Sequence, residues 1–307
     1  MNPVTSDDLP PFLYGTFDWL RRGVFIAGEP PLDLLSAEAL RHPNPWIVVA
    51  AVLERGKVGE HGHAERLQPF FERDAPFALN RVALLIAGMT AASADLGLIA
   101  LALASTSPVT RIFAAQGARE AGVLELIPAM VEAWNKAQMP QHRTAIAQAI
   151  CDMLEDEGGE LGVASNYYTS KPVDPAQLTE PRMRAFAVAR RARAQDPDEF
   201  PQLVAAAYSE RTARFGASAV AVWAGELREP RALAAKCLAT LPEAETASHL
   251  IHYRRTFEAS TGTNCDRFFH WTKLRRLVIQ ATLEEFIHAD QPAYTPGVRY
   301  FFDHPVP

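Results

Sequence analysis

The sequence predicts an all-α protein in which pairs of helices repeat along the chain, and two observations support this prediction. Alanine, the residue with the highest helix propensity, occurs 51 times among 307 residues. Prolines that open helical patterns recur at intervals of 31, 32 and 32 residues. These prolines are Pro45, Pro76, Pro108 and Pro140.

The individual helices follow from these prolines in chain order. A proline suits the first turn of a helix, because its missing N–H leaves no hydrogen bond unmade there. Each proline begins an Ala-rich amphipathic run, and a second apolar run follows after a Gly-containing or charged break. One helical hairpin cannot bury both of its faces, whereas stacked hairpins complete one another's cores. The expected helices span 33–42, 45–55, 63–73, 77–91, 94–105, 108–121, 124–138, 141–157, 181–195, 198–209, 212–227, 231–241, 243–259 and 268–289.

The clearest unit is the segment 108–137. Its first helix carries Arg111 three residues after Pro108 and is expected to end at Gly122. The second helix begins around Ile127 and Pro128. The same Pro-x-x-Arg opening recurs at 140–143 and 181–184.

This opening, the small residues along the first helix and the Ile-Pro start of the second resemble HEAT repeats, the two-helix modules of armadillo-type α-solenoids. The resemblance covers residues 45–260 and implies a right-handed α-solenoid of stacked helical hairpins. The spacing of about 32 residues is shorter than that of usual HEAT repeats. The intervals after Pro140 also lengthen, to 41 and then 49 residues.

The array is expected to be one continuous domain with two halves, residues 1–157 and 181–290. The interruption at 158–180 is rich in Gly, Pro, Ser and Asn and is either a connector or a loop on the binding face. The tail 291–307 has no helical pattern and contains four aromatic residues. It is expected to cap the last repeat or to bind a partner.

A membrane span and export are both disfavoured. The apolar stretch Val82–Ala104 is long enough to cross a bilayer, but Ser93 and Asp95 fall in its middle, where the start of a second helix is expected. No Lys or Arg precedes Arg21, so the positive region of a signal peptide is missing. The chain also has only three cysteines, which is typical of a reducing compartment. Together these features predict a cytoplasmic protein.

Charge is divided unevenly along the chain. Residues 1–180 carry 22 acids and 13 bases, whereas residues 181–307 carry 14 acids and 17 bases, so the total is -6. An acidic and a weakly basic half create a bipolar electrostatic field, which can steer a protein partner. Acids also lie between the basic residues of the second half, so nucleic acid is not expected as a ligand. The candidate partner-binding residues are Asp152, Glu155, Asp156, Glu157, Glu160, Tyr167, Tyr168, Arg184, Arg191, Arg254 and Arg255.

The sequence carries no phosphate-binding glycine motif, no G-x-S-x-G and no H-E-x-x-H, so no catalytic residue and no cofactor is predicted. Cys265, with His270 or His304 as base, is a candidate nucleophile. A zinc site that uses Cys265 and nearby histidines is a separate alternative. The Glu60–Glu65 segment with its two histidines is expected to be an ordinary polar turn. The weak metal candidates are His249, His252, Cys265 and His270.

These observations favour a non-catalytic protein that binds one protein partner through a charged face. A small acidic solenoid without catalytic motifs resembles bacterial immunity proteins, which sequester a secreted toxin in a 1:1 complex. The Ala- and Arg-rich composition is typical of a GC-rich bacterium. Two alternatives remain at this stage: a scaffold or accessory subunit for complex assembly, and an enzyme or lyase that uses Cys265 and nearby histidines.

Overall fold

The computed structural model describes residues 32–72, 74–154, 196–220, 229–240, 256–263, 265, 273–289 and 293–307. The protein is mostly helical, which confirms the all-α class. Within these residues the strands form one short antiparallel hairpin. The helices are α1 Pro45–Lys57, α2 Phe77–Thr90, α3 Leu96–Leu103, α4 Pro108–Ala121, α5 Ile127–Asn135, α6 Pro140–Leu154, α7 Glu199–Phe215, α8 Pro230–Thr240 and α9 Lys273–His288, and the strands are β1 Arg299–Phe301 and β2 His304–Val306.

Local sequence rules explain the ends of several helices. The Asn44 side chain accepts a hydrogen bond from the backbone N–H of Trp46 at the start of α1. Ser107 accepts one from Thr110 in the same way before Pro108 opens α4. Gly122 ends α4 in the left-handed conformation with a φ of 71°, as the sequence predicted.

Four expected helices differ in the structure, and the last two of them, 198–209 and 212–227, are not separated at residue 210. The segment expected at 63–73 is a 3-10 helix, Ala64–Phe71, because Pro69 lies inside it and removes a backbone donor. Residues 33–42 contain only a short 3-10 turn, Ala39–Arg41. The break predicted near residue 210 is wrong: α7 runs without interruption until Gly216, where φ is 90°.

Helices α2, α4 and α6 lie side by side and run in the same direction. Phe77 and Phe113 pack edge to face at 4.8 Å, and further along the same pair of helices Gly88 lies against Gly117. A Cβ atom on Gly88 would come within 2.1 Å of the Gly117 carbonyl oxygen, so the two backbones are in direct contact. The 32-residue spacing of the prolines therefore corresponds to neighbouring, parallel helices.

Arginine side chains repeatedly bind the carbonyl groups at or just beyond the C-terminal ends of helices. These carbonyls have no partner within their own helix, and a cation there also complements the helix dipole. The planar guanidinium can bind two or more carbonyls at once, as Arg111 and Arg299 do here. The pairs are Arg111 with Ser105, Thr106 and Lys136, Arg143 with Ala137, Arg211 with Leu154, Arg231 with Ala289, and Arg299 with Gly88 and Met89.

The β1–β2 hairpin returns to the first helices of the chain. Its two turn residues, Phe302 and Asp303, have φ of 48° and 65°, and their N–H groups donate to carbonyls of the helical segment 256–261. Phe301 packs against Gly56 of α1. The expected cap over the last repeat is therefore only part of its packing.

The tail also contacts the last described helix and the start of α3. Tyr294 stacks on Phe286 of α9 with ring centroids 6.1 Å apart. At its other end, the Pro307 carbonyl accepts hydrogen bonds from both the backbone and the hydroxyl of Ser93. Residues near α1 and α2 are thus joined to residues more than 200 positions later.

Two hydrophobic clusters make up most of the interior. The first extends from α1 to α7 and includes Phe301 and Val306 of the hairpin. Trp134 and Phe200, with ring centroids 5.0 Å apart, join α5 to α7 within it. The second lies between α8 and α9 and contains Phe257.

The apolar stretch 82–104 is broken into α2 and α3 by a 3-10 turn, Ser93–Asp95. No helix in the described ranges has both the length and the apolar character that a membrane crossing requires.

Candidate functional site

Three of the residues proposed from the sequence lie in the described part of the chain: Asp152, Cys265 and His304. The others lie outside the described residues. They are Glu155, Asp156, Glu157, Glu160, Tyr167, Tyr168, Arg184, Arg191, His249, His252, Arg254, Arg255 and His270.

Asp152 is an ion-pair partner inside the helix stack and does not contribute a free surface charge. Arg119 of α4 donates to its carboxylate at 3.2 Å, and Gln148 donates at 2.6 Å. Arg119 also binds the buried carboxylate of Glu120 at 2.9 Å. Burial raises the pKa of Asp152, although Arg119 and Gln148 act in the opposite direction. The group ties α6 to α4.

Cys265 is fully buried in the second hydrophobic cluster, and its backbone N–H donates to the Glu258 side chain at 3.0 Å. The other two cysteines are also buried, and none of the three forms a disulfide. A buried thiol has no access to a substrate. Among the described residues, no group of three His, Cys, Asp or Glu side chains is arranged to hold a metal ion.

Acids and bases differ sharply in exposure over residues 32–72 and 74–154. Most of the arginines there lie inward against carbonyls or carboxylates, whereas most of the acids face solvent. Eight acids are exposed, compared with three bases. The exposed acids are Asp33, Glu38, Glu60, Glu65, Glu72, Asp74, Glu125 and Glu132, and the exposed bases are Arg41, Arg66 and Lys136.

An exposed apolar edge forms where α2, α4 and α6 begin. Phe77, Val109 and Met139 are 53%, 37% and 48% exposed, although side chains of these types are usually covered. Arg111 at the start of α4 binds the Lys136 carbonyl just before α6, so these helix starts are neighbours. The edge also includes the exposed prolines that open the helices. We call this set the apolar edge: Pro76, Phe77, Pro108, Val109, Met139 and Pro140.

The acidic surface and the apolar edge meet at α2. Glu72 and Asp74 are exposed immediately before Pro76 and Phe77. The sequence analysis missed this edge, although its signal was available. An apolar residue adjoins the proline in three successive units, at Phe77, Val109 and Met139.

A small cavity lies beneath the hairpin, between Glu120, Thr256 and Arg299. Its volume is about 10 Å³, which accommodates a single water molecule and no organic substrate. The Thr256 hydroxyl is buried there without a hydrogen-bond partner in the protein.

The described surface thus carries exposed carboxylates and the apolar edge. Comparison of this chain with family models, with curated proteins and with solved structures finds no match.

Proposed function

We propose that this chain is a HEAT-like, right-handed α-solenoid that binds one protein partner and performs no catalysis. The unequal exposure of acids and bases carries this proposal. Because guanidinium groups are occupied with helix ends and interior carboxylates, the surface of α1–α6 is more acidic than the composition indicates. Such a surface attracts a basic protein surface and accelerates its association.

The apolar edge supplies the second element that a specific interface requires. Binding energy at protein interfaces is concentrated in a few buried apolar or aromatic anchors, and polar rims add specificity. Phe77 has this anchoring character and lies next to exposed acids. The partner we expect has a basic surface with an apolar pocket that receives this side chain.

A bacterial immunity protein fits this combination best. A toxin that acts on an anionic substrate presents a cationic surface, and an acidic, partly apolar face can cover it. The burial of Cys265 favours this binding role over catalysis at that thiol. The expected location is the bacterial cytoplasm.

Co-expression with the product of the neighbouring gene tests the proposal. We expect a 1:1 complex by size-exclusion chromatography with light scattering, and a Kd that weakens about tenfold or more between 50 and 500 mM NaCl. A chain that remains monomeric beside this product, or a complex whose Kd is insensitive to salt, would contradict the proposal.

A matched pair of variants tests the apolar edge. Phe77→Ser is expected to weaken the complex at least about tenfold, because it removes an anchor from the contact. Val58→Ser is the control, since Val58 is 49% exposed but follows the end of α1, which contacts Thr90 at the end of α2 opposite to Phe77. Equal effects of the two variants would show that the edge is not the interface.

A further inference from the structure

The β1–β2 hairpin is held against the first helices by a small number of polar contacts. Arg299 donates to the carbonyls of Gly88 and Met89 at the end of α2, at 3.1 and 3.4 Å. On the other strand, His304 packs against Gly59, where a Cβ atom would approach the imidazole to 2.9 Å. The segment that follows α1 therefore lies directly beneath the hairpin.

His61 occupies this segment and is surrounded by positively charged or protonatable groups. It faces Arg299 from β1, His304 from β2 and His63 from its own segment. Neighbouring Glu60 is already paired with Arg55. Solvent does not reach either ring nitrogen of His61. A proton on this ring would therefore place a poorly solvated charge beside the Arg299 guanidinium.

We propose that His61 is a pH-sensitive latch for the hairpin Arg299–Val306: the hairpin stays attached to α1 and α2 while His61 is neutral, and protonation of His61 releases it. Burial has the largest effect and lowers the pKa of His61, and the charge of Arg299 lowers it further. His304 and His63 act in the same direction, whereas the backbone of Thr90 raises the pKa but only partly offsets them.

The sign of the effect follows from proton linkage. On this proposal, detachment of the hairpin exposes His61 to solvent, and its pKa rises toward the ordinary value of 6.5. As the pH falls below that value, the detached state takes up a proton before the attached state does. Attachment is therefore strongest above pH 6.5 and weakens below it, by up to about tenfold in the opening equilibrium per pH unit.

Hydrogen exchange of the full chain at pH 7.5 and pH 5.5, corrected for intrinsic exchange rates, measures this opening. The N–H of Ser93, shortly after the end of α2, donates to the carbonyl of Pro307 at the end of the tail and reports on attachment. We expect its protection to fall up to about tenfold at pH 5.5, while amides in the middle of α4 remain unchanged. Unchanged protection of the Ser93 amide would overturn the proposal.

Three substitutions assign the effect to the latch. His61→Gln cannot take up a proton, so the loss of protection at pH 5.5 is expected to disappear. His304→Gln, at an exposed site, removes one facing imidazole and is expected to reduce the loss even if the first variant folds poorly. His142→Gln, on α6, is the control. A pH effect that keeps its full size in both of the first two variants would place its origin elsewhere.

Discussion

Replacing Gly88 by alanine tests the backbone contact between α2 and α4. The new Cβ atom would lie 2.1 Å from the Gly117 carbonyl oxygen, and real Cβ contacts essentially never fall below 3.0 Å. The helices must therefore separate by about 0.9 Å, because the obstructing atom belongs to the backbone and cannot rotate away.

The expected cost follows from two opposing effects. Alanine is favoured over glycine in a helix by about 1 kcal/mol. Overpacking a tight interior costs about 1–3 kcal/mol, and a backbone obstruction belongs at the upper end of that range. We expect Gly88→Ala to lower the free energy of unfolding by about 2 kcal/mol.

Urea denaturation followed by circular dichroism measures this change, with Gly97→Ala as the matched control. Gly97 is also helical, but no atom lies within 4 Å of its added Cβ, so this variant should gain up to about 1 kcal/mol. If Gly88→Ala were as stable as Gly97→Ala, the close approach of α2 and α4 would be refuted.

Three further predictions concern the interior. Arg111→Lys should lower the free energy of unfolding by about 1–3 kcal/mol, because an ammonium cannot replace the forked contacts to three carbonyls; the exposed Arg66→Lys should change it little in the same urea denaturation. Arg119→Met should lower the free energy of unfolding by about 3–5 kcal/mol, because two carboxylates would lose their cation. Asp152→Asn should lower it by less. If thermal unfolding showed Asp152→Asn to be the less stable variant, this reasoning would be wrong. Native protein should not react with a thiol reagent, and denatured protein should expose three thiols; rapid reaction of one thiol in the native state would reopen catalysis at a cysteine.

Local patterns predicted the helices well because their causes are local. A proline at a first turn and Gly122 in a left-handed conformation act within a few residues, and they placed α4 correctly. The break expected near residue 210 was wrong because no glycine or proline lies in α7 between its first turn and Gly216.

Contacts across repeats were not predictable from the same patterns. Arg119 and Asp152 are 33 residues apart, about one repeat, so their pairing becomes evident only once α4 and α6 are placed side by side. The contact of the Pro307 carbonyl with Ser93 spans 214 residues, and no periodic feature of the sequence indicates it. Burial of charge likewise depends on these distant neighbours.

The contact of the β1–β2 hairpin with α1 and α2 also has a consequence for the order of folding. Stacked pairs of helices can form one after another during synthesis, since each pair requires only its neighbours. The surface of α1 and α2 around Gly56 and Gly88, however, is completed by residues that leave the ribosome more than 200 positions later. Part of the apolar surface of α1 and α2 therefore stays uncovered until the β1–β2 hairpin has been synthesised.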